Sequence, residues 1–318
     1  MSDKIKKQCP VCESRDTTVY AHTKDLEYLT SDEVYTYHNC NSCASIFIDK
    51  FPIAKLSEIY PSNYYSFKVQ KKNLALRVKE YLDKRVFKKV LAEFDKKPIN
   101  ILDIGGGSGW LLDIIKSIYS NVNITQVVDI DENAKQIAES NGHLFFHGPI
   151  EHFESETKFD LVLMLNLIEH ISDPRGTLLQ IEKMMNKGGI VLIKTPNTES
   201  LDARFFKNSY WGGLHCPRHW ILFSQKSFRL TVDNTGLEVS KIKYTQGAPF
   251  WAWSVLIRMQ KAGWIKITKE RPVMYHPLIP LLHIFFAGFD FIRGAFGAKT
   301  SQMFIELKKN GKSDQEKL

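Results

Sequence analysis

The chain has 318 residues, 43% of them hydrophobic and 25% charged, which suffices for one large core with attachments and is too apolar for a disordered segment. Its five cysteines, four of them in two close pairs, exclude a dense disulfide scaffold and suit metal ligation in a reducing compartment. The net charge of +8 favours an anionic partner without naming one, and the opening MSDKIKKQ lacks the apolar stretch of a secretory leader, so the expected location is cytoplasmic.

Residues 1–65 carry few long apolar runs. Cys9-Pro10-Val11-Cys12 and Cys40-Asn41-Ser42-Cys43 stand 27 residues apart. Four thiolates in two such knuckles match the tetrahedral set of structural zinc, with no open position for chemistry, and a segment of this size needs a staple to fold. Redox pairing and an iron–sulfur centre are the alternatives. The arrangement resembles a zinc ribbon, with His38 a reserve ligand at most. A basic helix is expected next: residues 68–97 hold eleven Lys/Arg against four Asp/Glu, with Leu74, Val78, Leu82, Val86, Val90 and Phe94 at four-residue spacing as its apolar face. Its basic face is either simply solvated or a contact for phosphate or an anionic membrane.

From Ile99 the texture becomes alternately strand-like and helix-like. Strands are expected at 99–104, 123–130, 143–146, 159–165 and 189–194, with helices at 110–119, 132–140 and 174–185, an order that marks a parallel sheet covered on both faces. After an irregular aromatic stretch a helix at 225–235, a strand at 237–244 and a last strand at 302–308 follow. Residues 246–300 contain three tryptophans and the apolar run 277–296. Pro280, His283, Gly288, Asp290 and Arg293 interrupt that run, so it reads as a helix closing a pocket or as an interfacial helix reaching a lipid-linked substrate, and not as a membrane span.

The sharpest local signal is Asp103-Ile104-Gly105-Gly106-Gly107-Ser108-Gly109, where a buried strand meets a helix start through glycines. Backbone there can approach a ligand closely, and helix-start amides face it. Three residues past Gly107 stands Trp110, which breaks the G-x-G-x-x-G dinucleotide pattern, and no Gly-Lys-Ser/Thr follows for a phosphate loop. The neighbouring strand ends in Asp129, placed to accept the hydroxyls of a ribose. Asp131 is better positioned than Asp129 to cap the next helix.

These residues resemble motif I and its partner acid in the class I S-adenosylmethionine-dependent methyltransferases. Gly148-Pro149-Ile150-Glu151 is similar to the family's adenine loop, Phe159 to Val162 with Leu167-Ile168-Glu169-His170 to its fourth strand and following turn, and Lys187-Gly188-Gly189 to the turn before strand five. Thr195-Pro196-Asn197 and 217–224 continue the likeness, which spans 99–244. It implies a Rossmann-like α/β sheet of seven strands in the order 3-2-1-4-5-7-6 with strand seven antiparallel. The implied domains are a zinc-ribbon module at 1–65, the methyltransferase core at 66–245, a helical cap at 246–300 inserted between strands six and seven, and the last strand and tail at 301–318. It further implies that Gly105, Gly106, Gly107 and Gly109 wrap the methionine part of S-adenosylmethionine, that Asp103 holds its amino group, and that Asp129 binds the ribose. Ile130 and Ile150 would flank adenine and Asn166 would lie under the methionine moiety. The family usually has an acid at the position of Pro149, so the adenine amino contact would pass to Glu151 or to backbone.

The donor is already activated, so the enzyme must chiefly position the acceptor, which is worth roughly 7 to 11 kcal/mol of barrier. A hydroxyl or carbon acid also needs a base. His219 and then His170 are the catalytic candidates, and Trp211, His215 and Arg218 the substrate-binding ones, each with a loop-tying or ion-pairing role as the plain alternative. Leu165-Asn166-Leu167-Ile168 lacks the Pro-Pro-aromatic grip used on flipped bases, which disfavours nucleic acid. The expectation is therefore methyl transfer to oxygen or carbon of a small molecule such as a sugar nucleotide or quinone, with structural zinc and peripheral contact at the inner membrane face as further expectations. The rivals are an RNA or protein methyltransferase that recruits through the ribbon, and a non-catalytic cofactor binder.

Overall fold

A strand that is mostly apolar on both of its faces, as Ile99–Ile104 is, must be covered on both sides, and the fold is arranged to do so. The computed structural model describes residues 7–64, 74–207 and 210–309. Three N-terminal strands, β1 (Thr17–Thr23), β2 (Tyr35–Cys40) and β3 (Ile46–Ile48), precede the short helix α1 (Leu56–Ile59) and the long helix α2 (Leu74–Leu91). The core then alternates as β4 (Ile99–Ile104), α3 (Trp110–Lys116), β5 (Val122–Asp129), α4 (Glu132–Ser140), β6 (Leu144–His147), β7 (Phe159–Leu165), α5 (Pro174–Lys183) and β8 (Met185–Pro196). It continues with α6 (Leu201–Phe205), β9 (Ile221–Leu222), α7 (Gln225–Val232), β10 (Leu237–Thr245), α8 (Ala248–Lys261), α9 (Ile279–Ala295) and β11 (Gln302–Lys309).

Seven strands form one sheet in the order β10-β11-β8-β7-β4-β5-β6, with β11 antiparallel to both neighbours and the inner pairs parallel. This is the expected 3-2-1-4-5-7-6 order read from the other edge. Alternation along each strand divides the interior: Leu102, Met164, Val191 and Ile305 enter one apolar cluster, while Ile101, Leu163, Leu192 and Phe304 face the other. Helix starts are fixed by short polar side chains. Asp131 accepts from the Asn133 amide, Asp173 from that of Gly176, and Ser224 forms a capping box with Ser227.

The N-terminal strands take a fourth partner from the core, for β9 pairs with β3 and completes the small sheet β1-β2-β3-β9. Cys9, Tyr37 and Phe47 lie in the same apolar cluster as Met164 and Trp253, so the module shares the main core.

The basic helix forms, but its inward face differs from the expected row. Phe87, Val90 and Leu91 are buried, whereas Val78, Leu82 and Val86 are exposed. A four-residue step advances about 40° beyond one full turn, so a row of six such residues spirals around the helix and only its last turns meet the core. Leu74 and its neighbours at 68–75 fall where the side chains, and before Leu74 the backbone too, lie outside the described residues.

Candidate active site

At the carboxyl ends of the parallel strands the glycine loop turns tightly, with Gly105, Gly107 and Gly109 all at positive φ. Glycine is required at Gly106 for a different reason, since a Cβ there would stand 2.6 Å from the Asp103 carboxyl carbon. At Gly107 a Cβ would meet nothing within 4 Å, so that side of the loop is open. The Gly107 amide donates to Asp129 at 2.8 Å and the Asp131 amide to its other oxygen at 2.9 Å, which ties the tip of β5 to the loop. Asp103 is buried beneath, and its Oδ2 has no hydrogen-bond partner among the described residues.

Burial, with the charge of Asp129 adding to it, pushes the Asp103 carboxyl up to about 8. Burial also raises Asp129, against the backbone amides that stabilise its charged form. A buried carboxyl oxygen without a donor is costly, and a bound ammonium removes that cost. The orphaned Asp103 oxygen and the open Gly107 face therefore fit the aminoacid end of S-adenosylmethionine. Around this cradle, Ile130 is 45% exposed whereas Ile150 is folded into the main core, and Glu151 lies at the surface. Asn166 follows β7 at positive φ, its side-chain oxygen accepting from Gln302 of β11 at 3.1 Å.

On the segments that follow β7 and β8 three histidines cluster. The rings of His170 and His219 are 4.7 Å apart and those of His215 and His219 5.0 Å. His219 Nδ1 donates to the Gly213 carbonyl at 2.8 Å, leaving the Nε2 lone pair 3.9 Å from Glu169. Both Glu169 carboxyl oxygens are buried without a hydrogen-bond partner among the described residues, and burial pushes this acid up to about 8. Burial and the neighbouring His215 push His170 down to about 3, and burial with His170 and His215 takes His219 well below the usual imidazole range. Those two imidazoles are neutral near physiological pH.

His215 has a different environment. Its Nδ1 bonds Glu27 Oε2, its Nε2 bonds the Tyr64 hydroxyl at 3.0 Å, and Glu27 Oε1 accepts from Tyr210 at 2.8 Å. The backbone at His215 has φ of +38°, a conformation that non-glycine residues adopt rarely and at a cost. The carboxylate fixes the tautomer with hydrogen on Nδ1 and the lone pair on Nε2, so a carboxylate–imidazole–phenol chain runs through the cluster.

Arg218, a candidate anion clamp from the sequence, is fully buried and donates to Asp25 at 2.8 Å, with its guanidinium over the Tyr28 ring. Burial alone would raise Asp25, but Arg218 and the local amides hold it below the usual carboxylate range. Trp211 is buried with its indole N–H on Asp202 at 2.7 Å. The sequence reading missed Asp25, Glu27, Tyr60 and Tyr64, although Tyr60 bonds His170 Nδ1 at 2.9 Å. No spacing rule could have found them, because each acts on a residue more than a hundred positions away.

The four cysteines converge in two near-identical turns. Glu13 and Ala44, each following the second cysteine of its pair, have φ of +59° and +61°, and their amides bond the carbonyls of Cys9 and Cys40 at 2.9 and 2.8 Å. The sulfurs of Cys9 and Cys43 are 3.7 Å apart, those of Cys12 and Cys40 3.5 Å, and all four lie within 4.8 Å of one another. Tetrahedral zinc with bonds of about 2.3 Å requires sulfur edges of about 3.8 Å. The donor set thus fits zinc, while Cys216 lies apart and His38 stacks on Phe47 instead.

A family model described as "Methyltransferase domain" matches residues 77–242. Among curated proteins, the chain is 28% identical over 114 residues to the ubiquinone biosynthesis O-methyltransferase of Rickettsia conorii, covering 33% of this chain and 39% of that one. It is 25% identical over 155 residues to the counterpart in Rickettsia akari, covering 47% and 61%. The tRNA 5-carboxymethoxyuridine methyltransferase of Escherichia coli is 28% identical over 120 residues, covering 36% and 46%. The chain therefore spans about 40 to 60% of the length of these relatives. Among solved structures, a plantazolicin methyltransferase in complex with a pentazolic desmethylPZN analog and SAH has a TM-score of 0.45 at 16% identity, covering 73% of this chain and 85% of that one.

Proposed function

This chain belongs to the class I methyltransferase-domain family, and from that premise we propose that it methylates an oxygen or carbon of a small molecule with S-adenosylmethionine as donor. The observation that carries the reading is the cradle itself: an orphaned buried Asp103 oxygen beneath an open glycine turn, with Asp129 at the tip of the next strand. The bound donor supplies an activated methyl group. Asp103 would hold its amino group, Asp129 the ribose hydroxyls, and Ile130 one face of the adenine, with Asn166 and Gln302 bordering the methionine end.

The chain's own chemistry is then acceptor positioning and proton removal. Of the three clustered histidines, His215 alone has a carboxylate on Nδ1 among the described residues, which compensates the imidazolium formed when Nε2 takes a proton. Tyr64 would pass its phenolic proton to His215 Nε2 and receive the acceptor's proton on the oxygen left behind. His170 and His219 would line an acceptor chamber beside His215 as neutral imidazoles, and Glu169, protonated near neutral pH, would donate a hydrogen bond. Zinc on Cys9, Cys12, Cys40 and Cys43 would brace the module that delivers Asp25 and Glu27. That use of the module supports a small acceptor over recruitment of RNA or protein by the ribbon.

The test is incubation of zinc-loaded protein and methyl-labelled S-adenosylmethionine with fractionated cell extract, with Asp129→Ala as the inactive control. Label in a low-mass fraction is expected. Label confined to RNA or protein overturns the acceptor class, and no transfer to any fraction overturns the activity.

A further inference from the structure

Helix α9 is apolar on two faces, and the protein covers one. Leu282, Phe286 and Phe289 pack against the core, with Phe286 stacked on Trp251 of α8 at 5.1 Å. Leu281, Ile284, Phe285, Phe291 and Ile292 point outward at 60 to 77% exposure, and Phe296 follows at 87%. At about 100° per residue these side chains, with Gly288 and Ala295 between them, fall in one arc of about 140°. That arc holds no charged or hydrogen-bonding side chain. The polar residues are turned away from it: Asp290 is buried against Gly247 and Ser301, and Arg293 pairs with Asp290.

Basic residues are concentrated on the chain that leads into α9. The Gly247 amide meets Asp290 at 3.1 Å, so α8 begins beside the later turns of α9 and runs back toward its start. The end of α8 and the connection to α9 expose Arg258, Lys261, Lys266, Lys269 and Arg271 against the single acid Glu270, with Trp264 standing 76% exposed among them. A contiguous apolar patch of this size is seldom left on a soluble monomer. Two copies packed face to face would bring these cationic groups together in a chain of net charge +8. An anionic lipid surface satisfies both features. No described helix is long and apolar enough to cross a membrane, and a helix with an apolar arc, flanking cations and an interfacial tryptophan lies in the headgroup layer instead.

We propose that the outward arc of α9, with Trp264 and the basic connection before it, docks this protein on an anionic membrane, independently of the reaction it catalyses. The test uses the full chain loaded with zinc and flotation on vesicles of phosphatidylcholine with roughly 30% phosphatidylglycerol, against phosphatidylcholine alone. The protein is expected to float with the anionic vesicles, and less so at high salt. Ile284→Asp combined with Phe291→Asp should lower the bound fraction about tenfold, because it places charge in the apolar arc. Both side chains face solvent, so the melting temperature should hold. Lys266→Glu with Lys269→Glu should weaken only the binding to anionic vesicles. Protein that stays at the bottom with both vesicles overturns the proposal, as does a double variant that floats like the wild type. A dimer in light scattering that the aspartate variant dissolves, with no vesicle binding, assigns the face to a second copy instead.

Discussion

The glycine cradle and the proposed acceptor chamber are built by opposite means. The cradle is a continuous piece of sequence, Asp103 to Asp129, in which backbone does most of the work: three glycines at positive φ, a fourth cleared for a carboxylate, and amides aimed at the next strand tip. The chamber is assembled from side chains that are 151, 188 and 193 positions apart in its Tyr64–His215, Glu27–His215 and Asp25–Arg218 pairs. Close approach of backbone to a ligand demands particular residues at particular spacings, and so leaves a signature. A chamber of tyrosines, histidines and acids is specified only by the fold that gathers them.

If the two regions are separable, damage to one should spare the other. The largest effect is expected from the metal site. Cys40→Ser, or removal of zinc by a strong chelator, should loosen the strands that hold Asp25 and Glu27 and lower turnover by about a thousandfold or more, while the Kd for S-adenosylhomocysteine moves less than about threefold. Turnover assays and calorimetry on the same sample read both, and equal loss of the two would show that cradle and chamber form one unit.

Glu27→Gln is the next largest. The amide would favour the wrong His215 tautomer, so kcat should fall about 100-fold with cofactor affinity unchanged. Glu27→Asp should restore part of the rate. A fall in KM-governed binding alone, or no change in the pH–rate profile, would reduce Glu27 to a packing role.

Within the cradle, Gly106→Ala pushes a methyl group toward the Asp103 carboxyl, and cofactor affinity should weaken about tenfold while kcat at saturation holds. The smallest effect is the pH dependence of binding. Burial raises Asp103 to about 8, whereas a bound ammonium favours the carboxylate, so binding must expel a proton below that pH. Affinity should therefore rise about fivefold between about pH 7 and about pH 8, and the rise should vanish in Asp103→Asn.

Most element limits were legible because strand periodicity and glycine turns are local, whereas the seven-stranded order and the antiparallel last strand followed from the family resemblance, since pairing order is not a local property. Strand β8 exceeds its expected span at both ends, since its pairing with β7 and β11 extends the ladder beyond the apolar run that betrays it. The apolar row on α2 misled because four-residue spacing drifts around a helix. Among site residues, Asp103, Asp129 and the glycines stand where the spacing puts them. Ile150 turns into the core and Arg218 into an ion pair with Asp25, outcomes decided by partners from distant segments.

The central claim is that the glycine turn with Asp103 and Asp129 receives the adenosyl donor, and calorimetric titration of zinc-loaded protein with S-adenosylhomocysteine tests it most directly. One saturable site per chain, abolished in Asp129→Ala, is the predicted result. No heat from the wild type, or equal affinity in the variant, would contradict it.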